Sequence, residues 1–155
     1  MHEQLRAAVR AARFRPEVLQ AVDALYERVR AETDLQRPAC VMSGRCCRFE
    51  EYGHRLYVTT IELAAFLHRL GDDRRFSIAE GGVCPFQSNK LCSVHDIRPF
   101  GCRMFFCDST ATRWQNEQYE RFHAQLKRLH DELGVAYFYV EWRQALTSLG
   151  QGCGQ

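Results

Sequence analysis

Thr59-Thr60-Ile61-Glu62-Leu63-Ala64-Ala65-Phe66-Leu67-His68-Arg69-Leu70-Gly71 carries the signals of a helix start and a helix stop in one short stretch. A hydroxyl stands three residues before the Glu62 carboxylate, the capping-box arrangement in which each side chain serves a free amide at the helix start. The segment predicts a helix from about Thr60 to Leu70, stopped by Gly71, with Glu62 as a cap rather than an acid catalyst.

Helical spacing continues on both sides. Leu5, Ala8, Val9 and Ala12 predict a short first helix. Pro16 sits where the first turn of a second begins, and Val18, Val22, Leu25, Tyr26 and Val29 form its buried stripe through about Thr33, with Pro38 ending it. Further on, Tyr119, Phe122, Leu126, Leu129 and Leu133 line one face of a long helix from about Asn116, closed by Gly134. Tyr137-Phe138-Tyr139-Val140 is ambiguous between strand and helix, and a last helix runs through Trp142, Leu146 and Leu149. Leu56-Tyr57-Val58 reads as a brief extended piece. Val83-Cys84-Pro85-Phe86 and Lys90-Leu91-Cys92 read as two arms around a turn at Gln87-Ser88-Asn89, and Ser93 to Arg98 as a turn or two of helix before Pro99. The fold expected is mainly α: a single small helical domain over 1–155 with cysteine-rich loops and a short two-stranded hairpin. Within it, 1–37 supply N-terminal helices, 40–107 a cysteine region, 112–149 C-terminal helices and 150–155 a loose tail. A chain of 155 residues can bury a real core without metal or disulfide staples.

Seven of the eight cysteines fall between Cys40 and Cys107. Their spacing is C-x5-C-C, a gap of thirty-six residues, then C-x7-C-x9-C-x4-C, which is not the pair of C-x2-C knuckles of a zinc ribbon. Ligands must therefore gather from separate loops, with the helices as frame. The adjacent Cys46-Cys47 would bridge each other only in strained geometry. They suit two different metal atoms, or one of them packs as a small hydrophobe. Nothing at the start of the chain resembles a signal peptide, so the expected location is cytoplasmic, where eight cysteines argue for metal rather than disulfides.

Candidate metal ligands are Cys40, Cys46, Cys47, Cys84, Cys92, Cys102 and Cys107, and the candidate occupants are an iron–sulfur cluster of the four-iron type or a zinc ion. Either leaves negative charge to be compensated. Arg45, Arg48, Arg98 and Arg103 lie close to cysteines in sequence, and Phe86, Phe100, Phe105 and Phe106 would supply a dry shell. His54 and His95 are the histidines placed to complete a mixed site, although surface histidine is the commoner reading of each. His68, His123 and His130 are expected on helices facing solvent, and Cys153 is expected to be a tail thiol.

Other classes find little support. The formal charge is +2, from twenty-one basic residues, nineteen of them Arg, interleaved with nineteen acids. A nucleic-acid surface would show a clustered basic stripe instead. No apolar run approaches a membrane span, no glycine-rich phosphate loop is present, and no single cysteine stands out as an activated nucleophile.

The segments Cys40-Val41-Met42-Ser43-Gly44-Arg45-Cys46-Cys47, Thr59-Thr60-Ile61-Glu62, Cys84-Pro85-Phe86 and Cys92-Ser93-Val94-His95-Asp96-Ile97-Arg98-Pro99-Phe100-Gly101-Cys102-Arg103 resemble, in this order, the YkgJ-type cysteine-cluster family. That resemblance covers about residues 40 to 107 and implies a zinc- or iron-chelating domain. A similar framework is associated with flagellin lysine methylation enzymes, where the resemblance implies an iron–sulfur cluster beside the catalytic machinery. The family pattern is C-x2-C-x2-C-C, with serine here at position 43, and the family's usual Ile-Tyr is Val94-His95. Ser43 is a poor ligand for soft metals, which favours one cluster or one zinc over two. The functional expectation is a cytoplasmic metal-binding protein with a redox or protein-modification role and an unidentified protein partner. The alternative is a structural zinc module without catalysis.

Overall fold

The structure is a computed structural model that describes residues 1–36, 55–72, 76, 84–89, 91–104 and 109–150. Six α-helices are found among these residues: α1 (His2–Ala12), α2 (Pro16–Gln36), α3 (Thr60–Leu70), α4 (Phe100–Arg103), α5 (Thr112–Leu133) and α6 (Trp142–Gly150). Short strands are β1 (Tyr57–Thr59), β2 (Gln87–Ser88), β3 (Leu91–Cys92) and β4 (Tyr139–Glu141). The chain is mainly α, as its periodicity predicts.

Helix α3 is the centre of the core. Thr60 through Phe66 and Leu70 are all buried, so the first two turns are enclosed by protein on every side and the helix meets solvent only near its end, at His68. Leu5, Val9 and Ala12 of α1 and the α2 stripe Val18, Val22, Leu25, Tyr26 and Val29 close over it. Phe122 and Leu126 of α5 and Trp142, Ala145 and Leu146 of α6 complete the enclosure. Burial of each such aliphatic or aromatic side chain contributes about 1.5–3 kcal/mol.

The link between α1 and α2 also secures the ends of two other helices. Arg13 Nη2 donates to the Leu67 carbonyl of α3 at 3.0 Å, and Arg15 Nη2 to the Leu133 carbonyl of α5 at 2.9 Å. Each places a cation at a helix C-terminus, where the helix dipole favours positive charge, and the Leu67 carbonyl also accepts the Gly71 N–H at 3.2 Å. Gly71 (φ +79°) and Gly134 (φ +65°) end α3 and α5, using the left-handed region that glycine enters without a Cβ clash.

Strands β1 and β4 pair antiparallel with Val58 opposite Val140, so the ambiguous Tyr137–Val140 stretch resolves in part to strand. The Trp142 N–H donates to Leu56 O at 2.7 Å, continuing the junction into α6. Strands β2 and β3 form the expected hairpin, but its reversal is displaced. Gln87 and Ser88, expected in the turn, instead pair with Cys92 and Leu91. Asn89, at φ +50°, begins the reversal. Asparagine tolerates the positive φ that the favoured two-residue hairpin loops require.

Two other boundaries differ from expectation. Helix α5 begins at Thr112, four residues before Asn116, and the turn expected within Ser93 to Arg98, a 3-10 segment at His95–Ile97, is followed by the unanticipated α4. Among the described residues, no helix is long and apolar enough to cross a membrane.

Candidate metal centre

The Arg98-Pro99-Phe100-Gly101-Cys102-Arg103 segment is held from below by a buried carboxylate. Glu62 is 2% exposed. Its Oε2 accepts the Thr59 N–H at 2.9 Å and the Thr59 hydroxyl at 3.0 Å, giving the capping box expected at α3. Its Oε1 accepts the Phe100 N–H at 2.7 Å and the Tyr26 hydroxyl at 3.2 Å. One side chain thus ties α2 and the starts of α3 and α4 together. Burial pushes the Glu62 carboxyl up, while the amides and hydroxyls aimed at it favour the charged form and oppose the shift. Burial, followed by the Glu62 charge, pushes the Tyr26 phenol well up, so Tyr26 remains a donor at neutral pH.

Arg103, next to Cys102, lies over the Tyr26 ring with its guanidinium carbon 4.1 Å from the centroid. Its Nε donates to Arg98 O at 2.8 Å and its Nη2 to Asp96 O at 3.0 Å. The guanidinium therefore shapes the bend through two main-chain carbonyls. Arg98 Nη1 lies 3.5 Å from the Cys102 carbonyl oxygen, and Arg98 Nε is buried with no hydrogen-bond partner among the described residues. Beside this segment a cleft of 570 Å³ opens toward α2, lined by Tyr26, Arg30, His95, Arg98 and Arg103 among others.

Cys84 and Cys92 belong to the hairpin. The Gln87 N–H donates to Cys84 O at 3.0 Å. The backbone N and hydroxyl of Ser93 donate to Phe86 O at 2.8 and 2.6 Å. Cys84 is buried, and Trp142 Nε1 donates to its sulfur at 3.4 Å. Cys92 and Cys102 are partly buried. Phe86 packs against Phe66, Phe76 and Trp142, and Phe100 stacks on Tyr119 and meets Phe122 edge-on. These two expected members of the dry shell are thus core residues adjoining cysteine-bearing segments.

Cys40, Cys46, Cys47, Cys107, Ser43, His54, Arg45, Arg48, Phe105, Phe106 and Cys153 lie outside the described residues. Among the described residues, no group of three or more His, Cys, Asp or Glu side chains could hold a metal. Cys84, Cys92 and Cys102 therefore do not form a site by themselves. Their thiolate chemistry suits zinc or iron, and the unspent Arg98 Nε suits a nearby anion.

The histidines divide. The His95 side chain is about half exposed, with Nδ1 4.0 Å from Asp96 Oδ1. Its partial burial and then the positive charge of Arg98 lower its proton affinity. His68 is exposed, as expected. His130, expected in solvent, is instead 1% exposed. Its Nδ1 meets Leu126 O at 2.8 Å, and its Nε2 accepts the Ile61 N–H at 3.3 Å. That pairing specifies a neutral ring protonated on Nδ1. It serves the amino end of α3 from the opposite side to Glu62. His123 is half-buried rather than solvent-facing, stacked on Tyr139 with Nε2 2.9 Å from the Tyr137 hydroxyl.

Trp142 and Tyr26 are the residues near the cysteine segments that spacing did not identify. Both read as apolar members of helix stripes, and nothing local in sequence announces their polar atoms. No family model matches the chain, and comparisons with curated proteins and with solved structures return no match.

Proposed function

We propose that this is a metal-binding protein whose centre, an iron–sulfur cluster or a zinc ion, draws on Cys40, Cys46, Cys47, Cys84, Cys92, Cys102 and Cys107. The observation that carries this reading is Arg98 Nε, buried on the segment that bears Cys102 without a hydrogen-bond partner among the described residues. A buried cationic donor left unspent is costly, and negative charge shared over thiolates would satisfy it. The order of cysteine motifs and the resemblance to the YkgJ-type family support the same reading.

A cluster or zinc, when bound, supplies electron transfer or Lewis-acid chemistry. The chain's own contribution is positional. Glu62 and Arg103 fix the bend carrying Cys102, the hairpin presents Cys84 and Cys92, and the phenylalanines limit water. The role we assign is redox or protein modification in the cytoplasm, with a protein partner rather than nucleic acid. The structural-zinc alternative is less favoured because most of the core joining α1, α2, α3, α5 and α6 is formed without cysteine. A purely structural metal should melt the fold on chelation, whereas here the helical signal is expected to survive.

The test is metal and acid-labile sulfide content of anaerobically prepared full-length protein, with its visible spectrum. Iron and sulfide in similar amounts with charge-transfer absorption support the cluster, and stoichiometric zinc supports the zinc form. Protein that retains neither metal, and takes up neither on reconstitution, removes the proposal.

A further inference from the structure

The geometry points to Trp142 as the residue that sets the electron density on the Cys84 sulfur, and hence the potential or ligand strength of the metal centre at that position. This inference rests on the metal-binding reading above and deepens it.

An indole N–H is a donor with no acceptor capacity, and when buried it usually finds a partner. Trp142 is 1% exposed, and its Nε1 donates to Cys84 Sγ at 3.4 Å across fifty-eight residues of chain. Phe66 meets the indole edge-on with centroids 5.0 Å apart, while Phe86 packs at 6.3 Å. The Trp142 backbone is tied to Leu56 O. The ring is therefore fixed from three directions. The Cys84 backbone is constrained too, because its carbonyl accepts the Gln87 N–H and closes the turn that leads into β2.

Neutral thiol sulfur is a weak acceptor. A metal-bound thiolate carries negative charge, and charge-assisted hydrogen bonds are roughly twice as strong as neutral ones. A rigid donor aimed at sulfur is thus matched to a thiolate ligand. Hydrogen bonds to ligand sulfur are among the determinants of cluster potential, because they withdraw density and stabilise the more reduced, more negative state. The same bond to a zinc thiolate lowers its donor strength. In either case Trp142 is a positioning residue: it acts through Cys84 and does not touch the metal.

The test uses full-length protein, wild type and W142F, which keeps an aromatic ring and removes the N–H. If the metal is an iron–sulfur cluster, the reading is the midpoint potential from an anaerobic redox titration. W142F is expected to lower it, changing the reduced-to-oxidised ratio at fixed potential by about tenfold, or 59 mV for a one-electron couple. If the metal is zinc, the reading is the indole N–H resonance of Trp142, assigned by its loss in W142F against Trp114. Zinc added to chelator-treated protein is expected to move it downfield, and C84A to abolish that movement.

Metal-loaded protein whose potential is unchanged in W142F, or whose indole resonance ignores both zinc and C84A, overturns this inference and leaves the metal-binding reading standing. Protein that binds no metal overturns both. A helical spectrum matching wild type shows that W142F has folded. If it has not, W142F is set aside, the Trp142 resonance is assigned as the one that remains in W114F, and C84A in the zinc experiment, run on chelator-treated protein whichever metal was bound as prepared, gives the answer.

Discussion

Glu62 and Phe100 meet through a 2.7 Å hydrogen bond from a backbone amide to a buried carboxylate, thirty-eight residues apart in the chain. That contact joins the central helix to the turn bearing Cys102. The amino end of one helix is thereby capped by the capping residue of another.

Replacing Glu62 by glutamine leaves one acceptor oxygen where four donors converge. E62Q is expected to destabilise the fold by about 2–3 kcal/mol, the cost of leaving buried donors unmet. Urea denaturation measures the loss. Hydrogen exchange at the Phe100 amide should accelerate in E62Q. Y26F, which removes a single hydroxyl, should cost about 1 kcal/mol and leave that amide protected.

Arg103 combines a ring contact with two carbonyl contacts that a lysine ammonium cannot reproduce in one plane. R103K is expected to lose about 1–2 kcal/mol, seen as a lower thermal midpoint. An unchanged midpoint would show that the guanidinium does not hold the 96–103 bend together.

His130 should make stability depend on pH. Burial holds its proton affinity below the ordinary value of 6.5, opposed by the Leu126 carbonyl and Asp131 and reinforced by His123. The unfolded chain therefore binds this proton more readily than the folded one. The stabilising contribution is complete above 6.5, is lost as pH falls from there toward the folded value, and is flat below it. The steepest loss from one such group is about 1.4 kcal/mol per pH unit. His123, lowered by burial and then by Lys127, adds a term of the same sign. Glu62, whose carboxyl is raised, contributes in the opposite sense: its share is present below 4.5 and lost as pH rises through the folded value. Urea midpoints from pH 8 to 5 should fall more gently in H130Q than in wild type, and parallel curves would refute the assignment.

Gly134 closes α5 at φ +65°, and among the described residues beyond its own chain neighbours no atom lies within 4 Å of an added Cβ. G134A therefore isolates backbone strain from crowding and is expected to cost about 1 kcal/mol. G134N should recover part of it, since asparagine tolerates the same region. Equal denaturation curves for wild type and G134A would contradict this.

The parts of the fold legible in sequence are those written locally. The capping box, Pro16 at the start of α2 and the glycine stops each involve neighbours within a few residues, and each was readable. The hairpin was readable as a hairpin but two positions off, since Ser88 and Asn89 both suit turns and only the cross-strand pairing separates them. His130 was misread by residue type: it stands four positions after Leu126, on the buried stripe, yet polarity suggested solvent. The contacts from Trp142 to Cys84 and from Ile61 to His130 span fifty-eight and sixty-nine residues, and no local spacing encodes them. Of the seven proposed ligands, the sequence named all on equal terms, whereas the structure distinguishes buried Cys84 from partly buried Cys92 and Cys102.

The β1–β4 pairing bears on how this protein could be divided or transplanted. A fragment ending at Leu133 would keep every cysteine from Cys40 to Cys107, yet lose β4, α6 and the indole that faces Cys84. The cysteine region is therefore not a cassette to be grafted into another scaffold by copying its motif. Its heritable unit includes a stretch more than thirty residues downstream of the last clustered thiol, and changes there can alter the chemistry of a segment they do not adjoin in sequence.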